Sequence, residues 1–521
     1  MDLLPEDIDR IGPELAIGFQ RFPSLLEAGI RKWVNGAFTF TPDGNPLVGP
    51  VPGLRNYWAA CGCMSGFSQG GAIGLVLANW MVDGDPGADI FGMDIARYGA
   101  FASNDRYLRE TTAQFYARRF VIAYPNEELP AGRPLKMTPS YDAQRAAGAR
   151  FGVVWGMESP QFFAPGEPEF VEQPTLRHSN AQRLIAAEVA ATRNAAGLLD
   201  TGVYARYEVS GPGAERWLDH LLASRLPTLG RVRMAPMLAP SGKLMGDLTV
   251  TRLEAERFWL VGSYYLQEWH LRWFRDHLPP SGVRLENLSE SWLGFSLSGP
   301  RARDILQRLT RAPVDNAALP FMGARSLDVG FTRAVVVRVS LTGELGYEIN
   351  VRASEQLALW SALLAAGREF GLTPIGMRAQ DSLRLEKGYG VWSLEFAQSY
   401  TPAMAGLDRF IAFDKGEFIG RAAAIEERAR APVRRLVLLA VDSPDADVAG
   451  FEPVFAGERT AGYVTSGAYG HHVRQSLALA YVDAAIAARP VPLTVPVVGV
   501  PCAARILAEP PYDPRGSRLR S

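Results

Sequence analysis

Cysteine is nearly absent from the 521 residues, which carry only Cys61, Cys63 and Cys502. Three cysteines cannot build a disulfide framework. Cys61 and Cys63 stand in a C-x-C spacing on a strand-like stretch, which is not the C-x-x-C of a redox or zinc pair, and a reducing compartment is expected. Lysine is equally scarce. Lys32, Lys136, Lys243, Lys387 and Lys415 are the only ones, so nearly all of the 54 basic residues are Arg. An excess of either charge is lacking too, with 54 basic against 55 acidic residues. That balance leaves no electrostatic footprint for nucleic acid or an anionic membrane. No apolar run reaches the length of a membrane span. The start, MDLLPEDIDRIGPEL, is acidic and has no basic region ahead of an apolar stretch, so no signal peptide is expected and the cytoplasm is the default. The six histidines (His178, His220, His270, His277, His471 and His472) show no metal-ligand spacing, and no metal is expected. No P-loop or nucleophile elbow occurs.

What is present is an ordinary globular composition, 47% hydrophobic and 21% charged, long enough for two to four domains. Phe38 to Phe40 reads as a short apolar strand, followed by dense turn chemistry from Thr41 to Pro46. Tyr57 to Gly62 has a buried-strand pattern. It runs into a loop rich in Gly and Ser and then a helix from Ala72 to Val82, ended by Asp83-Gly84-Asp85-Pro86. Residues 105 to 125 read as helix. The Pro- and Gly-rich segment from Phe163 to Phe170 is the expected main domain boundary. Beyond it helices and strands alternate: helix Gln182 to Ala195, then strands Ala205 to Val209, Leu248 to Thr251, Phe258 to Val261, Ala334 to Ser340 and Leu436 to Val441. Pro432 marks the last boundary, before a strand-rich tail.

Several passages can carry chemistry. Residues 57 to 82 are strand, Gly-rich loop and helix, and helix N-terminal amides suit an anion. The loop lacks G-x-G-x-x-G spacing, however, and composition alone favours a packing turn. Asp247, at the entrance of a strand after Pro240-Ser-Gly, is on the bland view a turn residue capping amides. Thr342-Gly-Glu-Leu-Gly-Tyr-Glu348 sets two carboxylates four residues apart on a turn that feeds a strand. Gly376 to Gly388 reads as a helix on which Asp381 and Arg384 pair one turn apart as scaffold. His471-His472 falls in a Gly-rich loop, where solvent exposure is the plainer expectation.

Two resemblances organise these passages. Residues 34 to 99, through Thr41-Pro-Asp-Gly-Asn-Pro-Leu-Val-Gly-Pro50 and Tyr57-Trp-Ala-Ala-Cys-Gly62 to Asp94-Ile-Ala-Arg-Tyr-Gly99, resemble the C-terminal end of the flavin domain of dimethylglycine and sarcosine dehydrogenases. Residues 105 to 165 resemble the small bridging domain of the same enzymes. From about 175 to 510 the chain resembles the glycine-cleavage T-protein (aminomethyltransferase), through Ser298-Gly-Pro-Arg301, Thr401-Pro-Ala-Met-Ala-Gly-Leu407, Lys415-Gly-Glu-Phe-Ile-Gly-Arg421 and Gly462-Tyr-Val-Thr-Ser-Gly467. The resemblance implies an α+β fold: a truncated flavin-oxidoreductase tail and bridging domain, then a three-module cloverleaf ending in a small β-barrel. The expected divisions are 1–102, 103–165, 166–431 and 432–521.

The resemblance also implies roles. Asp247 matches the acidic residue beside the reactive folate nitrogen. Trp259 matches an aromatic that packs on folate, and Glu348 matches the carboxylate on the pterin amino edge. Arg378 follows the dehydrogenase pattern and is expected on the folate side. A carboxylate suits paired N–H donors, and a flat ring suits an aromatic clamp. Gly62, Met64, Ser65, Gly66 and Phe67 match the loop that returns to the flavin ring. The G-x-G-x-x-G segment that grips FAD has no counterpart, so FAD binding is expected only with a partner polypeptide or a missing N-terminal domain. Leu341 stands where the family often has Tyr, and Gln380 where the T-protein has Arg. The implied function is trapping of an iminium or formaldehyde equivalent from a methylated amine as 5,10-methylenetetrahydrofolate. Two alternatives remain open: a stand-alone folate-dependent aminomethyl- or methyltransferase, and a non-catalytic remnant or subunit.

Overall fold

The computed structural model describes residues 3–489 and 491–521. The chain divides into two compact units, one formed by residues up to 95 with 108–119, the other by 96–107 with 120–521.

The first unit has a small core. Helix Ile8–Arg21 buries none of its residues, and helix Gly66–Asp83 buries only Ile73. Strands Leu47–Pro50 and Trp58–Cys61 form a two-stranded antiparallel ribbon. Three sequence expectations are corrected here. Phe38 to Phe40 is not a strand; its rings associate with each other and with Tyr116 instead of entering a ladder. The stretch before Gly62 is a half-exposed ribbon edge and not a buried strand, because no further strand covers it. The helix begins at Gly66, six residues before Ala72, since Gly66, Gly70 and Gly71 were read as loop although a helix accepts them at roughly 1 kcal/mol each.

The second unit holds three successive modules. The first is an antiparallel sheet in spatial order Arg284–Asn287, β1 (Tyr204–Ser210), β3 (Arg257–Ser263), β2 (Leu244–Glu254) and Val232–Leu238. Helices Ala214–Leu221 and Gln267–Asp276 cover one face, burying Trp217, Leu218, Leu271 and Phe274 against Tyr207, Val209 and Leu248. The second is a six-stranded sheet, Ala324–Val329, Thr332–Val337, β4 (Gly346–Arg352), Trp292–Ser298, Ala196–Asp200 and Leu372–Ile375. Only its last pair is parallel. Thr332–Val337 is apolar almost throughout, as a strand buried on both faces requires. The third module, after Pro432, is a closed six-stranded barrel that contains β5 (Arg459–Gly470) and Gln475–Asp483. Closure leaves it no open sheet edge.

Two further helices tie these modules together: α1 (Gln182–Asn194) and α2 (Met377–Glu386). The segment after Phe163 is held by Arg150, which donates to the carbonyls of Glu167, Pro168 and Phe170 at 2.8, 3.0 and 3.1 Å. Asp200 is fully buried and accepts from Thr138, Ser140, Gln144, Gln356 and the Gly202 amide. Glu344, the first carboxylate of the 342–348 turn, pairs with Arg193 at 3.1 Å and accepts from the Tyr512 hydroxyl. Arg193 also pairs with Glu386 at 2.7 Å and stacks on the Tyr512 ring. Arg303 and Arg338 donate to the carbonyl of Ser521 at 2.6 and 2.7 Å, so the tail is fastened back onto the second module. Glu344 is thereby committed to structure.

Arg193 is the one cation shared by two buried carboxylates, so Arg193→Met is expected to destabilise the second unit by about 3–5 kcal/mol. Urea unfolding measures this, and a loss below about 1 kcal/mol would contradict the assignment.

Candidate functional site

Asp247 lies on β2, opposite Pro236, and is 3% exposed. Its Oδ1 is buried without a hydrogen-bond partner. Burial raises its carboxyl well above the usual range, and the charge of Glu395 adds to the effect. Its backbone oxygen accepts the indole N–H of Trp392. Trp392 in turn stands edge-on to the ring of Tyr204, with centroids 6.4 Å apart. The Tyr204 hydroxyl meets the side-chain amide of Gln380 at 3.3–3.5 Å.

Glu348 completes this group from β4. It is half-buried, and its carboxylate makes no hydrogen bond among the described residues. Burial pushes its pKa up to about 7, and the Arg206 guanidinium opposes the rise. Arg206 is itself locked, donating to Asn350, to the carbonyls of Thr201 and Tyr204, and to the Thr201 hydroxyl. The charge of Glu348 also raises the Tyr204 phenol, after burial itself. Asp247 thus meets Trp392 through its backbone and keeps Oδ1 unpartnered, while Glu348 acts electrostatically on Tyr204 and makes no side-chain hydrogen bond. Buried polar atoms are nearly always hydrogen-bonded, which sets the unpartnered Oδ1 of Asp247 apart.

The other two expected folate residues stand elsewhere. Trp259 is 2% exposed and packed edge-on against Trp292 at 4.7 Å, with its indole donating to Glu208 at 2.9 Å. It belongs to a core cluster that includes Val232, Val335 and Val337, so its ring has no free face to offer. Arg378 is two residues from Gln380, which on an α-helix turns it about 200° away. It pairs with Glu172 at 2.6 Å and donates to the Asn126 carbonyl. Arg378 lines a cavity of about 790 Å³ on the far side of α2, together with Asp381, Arg384 and His471. His471 is therefore a half-buried wall residue, its pKa lowered to about 4 by burial, and not the solvated loop residue expected. The Asp381–Arg384 pair forms at 3.2 Å.

Tyr204, Arg206, Trp392 and Glu395 were missed by the sequence reading. Trp392 had a signal, a large aromatic in the Gly388-Tyr-Gly390-Val-Trp392 loop just after a site helix. Arg206 had one too, as a charged residue on a strand of the buried sheet.

In the first unit, Gly62 has φ +69° and an added Cβ would press on Thr41. Ser65 precedes the helix without capping it by its side chain, and Gly66 has open space around it. Met64 is half-buried and Phe67 fully exposed. Backbone amides at this helix start fit one polar edge of a flat anionic ring.

With this geometry the comparisons can be placed. Residues 140–415 match the GCVT N-terminal domain, and 434–513 match the glycine cleavage T-protein C-terminal barrel domain. The chain belongs to the glycine-cleavage T-protein family. Residues 83–138 match the FAD dependent oxidoreductase central domain, and 4–80 match the FAD dependent oxidoreductase family. The mitochondrial dimethylglycine dehydrogenase of Homo sapiens is 31% identical over 525 residues, covering 100% of this chain and 60% of that protein. An aminomethyltransferase of Symbiobacterium thermophilum is 32% identical over 385 residues, 73% of this chain and 97% of that one. The solved glycine cleavage system aminomethyltransferase T from Bartonella henselae has a TM-score of 0.64 at 24% identity, covering 73% and 99% of the two chains, which shows the same fold. The T-protein-like α+β fold ending in a barrel is therefore as expected. The chain spans about three-fifths of the dehydrogenase relative. No helix among the described residues is long and apolar enough to cross a membrane.

The site helix α2 depends on a further buried carboxylate. Glu188 accepts from the amides of Phe163 at 2.6 Å and Gly376 at 2.8 Å, and burial raises its pKa to about 8. A raised carboxyl pKa means that the folded state holds its proton more tightly than the unfolded chain. Glu188 therefore stabilises fully below about pH 4.5, and its contribution is lost as pH rises toward 8. In melting curves from pH 5 to 8, Glu188→Gln is expected to flatten the fall of Tm relative to wild type. Parallel curves would contradict this.

Proposed function

We propose that the second unit binds tetrahydrofolate between Glu348 and Asp247 and joins a formaldehyde equivalent to it as 5,10-methylenetetrahydrofolate. The observation that carries this reading is the unpartnered Oδ1 of Asp247, whose backbone holds Trp392, together with a Glu348 carboxylate that makes no hydrogen bond and acts on Tyr204. Ionised Glu348 accepts two N–H donors from the pterin amino edge. The rings of Tyr204 and Trp392 provide its flat contact, in place of Trp259. The Tyr204 phenol feels the charge of Glu348 and offers a hydroxyl there.

Asp247 enters the cycle protonated, as its burial favours. N5 of tetrahydrofolate adds to formaldehyde and forms an N-hydroxymethyl group. Asp247 donates its proton to the departing hydroxyl, water leaves, and the resulting carboxylate stabilises the N5 iminium cation. N10 then closes the ring, and its proton returns to Asp247. The sum is tetrahydrofolate plus formaldehyde giving methylenetetrahydrofolate plus water.

The methylated amine is the proposed source of the one-carbon unit. A bound flavin would supply the two-electron oxidation of that amine. The loop from Gly62 to Phe67 would hold one edge of the ring through backbone amides, and the sequence offers no Gly-rich grip for the ADP half. The proposed source of the flavin is a FAD-bearing partner polypeptide or a flavin domain outside these 521 residues, set against the apolar surface that Phe67, Leu75 and Val82 leave exposed. The match to nearly the whole of an aminomethyltransferase supports a second reading, transfer from an aminomethylated donor with no flavin.

Calorimetric titration with tetrahydrofolate tests the site. Affinity is expected to rise about tenfold per unit as pH approaches 7, then level off as Glu348 becomes fully ionised. Glu348→Gln should remove this dependence and weaken binding by about tenfold or more. Asp247→Asn should bind within about threefold of wild type but slow methylenetetrahydrofolate formation by about a hundredfold, measured above the uncatalysed rate. Flat pH dependence in wild type, or full rate in Asp247→Asn, would refute the assignments.

A further inference from the structure

The loop 388–396 carries a carboxylate, Glu395, that belongs to neither folate contact yet is 0% exposed. Its Oε1 accepts from the Thr465 and Ser466 hydroxyls of β5, each at 2.6 Å. Its Oε2 accepts from the Val391 amide at 2.9 Å and lies 3.5 Å from Nη1 of Arg384. The Glu395 backbone oxygen accepts from the Tyr481 hydroxyl at 2.7 Å. Three hydroxyls of the barrel therefore grip one residue of the loop.

Three residues earlier, the same loop places the Trp392 indole on the backbone oxygen of Asp247 and edge-on to Tyr204. The path between the two grips is tight. Ser393 takes a left-handed φ of +62°, and a Cβ on Gly390 would lie 2.7 Å from the Phe396 ring and 2.9 Å from Glu395 Cβ. A loop bent so closely transmits a shift of Glu395 to Trp392, because few backbone conformations remain to absorb it.

We propose that Glu395 is a positioning residue for the one-carbon reaction: it fastens the Trp392 loop to the C-terminal barrel and so holds the indole on Asp247. This rests on the reading of Asp247 and Glu348 as the folate site. It gives the barrel, which contributes neither carboxylate, a part in the chemistry. The negative charge of Glu395 also works with burial to keep Asp247 protonated. An apolar residue could fill the same space, but it would hold neither hydroxyl and would leave the loop unanchored.

The test uses the full chain labelled with 5-fluorotryptophan, the Trp392 resonance being assigned by its loss in Trp392→Phe. In ligand-free Glu395→Gln, that resonance is expected to shift or broaden. Thr465→Val, which removes one hydroxyl, is a milder variant that should move it in the same direction if Glu395→Gln fails to fold. With tetrahydrofolate, Glu395→Gln should keep Kd within about threefold while methylenetetrahydrofolate formation falls at least tenfold. In the Trp392→Phe background the same change should cost less than about twofold more, because both act through one element. An unmoved Trp392 resonance, or rate losses that multiply independently, would overturn the proposal. If wild type binds no tetrahydrofolate and the resonance still moves, the folate reading falls while the anchor itself is upheld.

Discussion

Helix α2 is fixed at both ends by buried carboxylates, and the rest of the site depends on that fixation. At its start Glu188 reaches from α1 to hold the Gly376 amide, a position where a Cβ would collide with the Gln161 carbonyl at 2.1 Å. At its end Glu386 pairs with Arg193 and accepts the amide of His472 at 2.8 Å. With the ends set, the helix turns Gln380 toward Tyr204 and Arg378 toward the opposite cavity. It also brings Arg384 beneath the loop that carries Trp392 and Glu395. A helix free to rotate by two residues, about 200°, would bring Arg378 to the place of Gln380.

The buried acids sort into two classes by their partners. Asp200, Glu188, Glu344, Glu386 and Glu395 all accept hydrogen bonds or pair with cations, and each joins elements distant in sequence. Asp247 leaves Oδ1 without a partner, and Glu348 makes no side-chain hydrogen bond or ion pair among the described residues. Burying a carboxylate without a partner raises its pKa and costs stability, which a fold alone gives no reason to retain. The contrast sets Asp247 and Glu348 apart from the structural acids and supports the binding role proposed for these two of the four residues that family resemblance had marked.

The sequence made some of this legible and hid the rest for physical reasons. Strands such as β1 and β3 and helices such as α1 were visible because their apolar periodicity matches their burial. Asp247 and Glu348 were visible because each opens a strand after a Gly-bearing turn. Trp259 and Arg378 misled because a strand or helix position fixes register but not which neighbour takes the side chain; Trp292 took one and Glu172 the other. Trp392 and Glu395 lie in a loop whose course is set by contacts with residues 145 positions before it and 70 positions after it. No local pattern encodes such contacts. In the first unit the glycines from 66 to 71 read as loop because propensity is a weak prior, and the helix forms around them all the same.

The first unit is held by far fewer buried residues than the second, chiefly Val48, Ile73 and Ile90, and leaves Phe67, Leu75 and Val82 open. A core so small depends on further covering surface. The one-carbon chemistry is the part that stands on local geometry, and a crystal structure of the chain with tetrahydrofolate tests it most directly. The pterin should lie against Tyr204 and Trp392, with its amino edge on Glu348 and N5 facing Asp247. Density for the pterin in the cavity beyond α2, beside Arg378 and His471, would contradict the account.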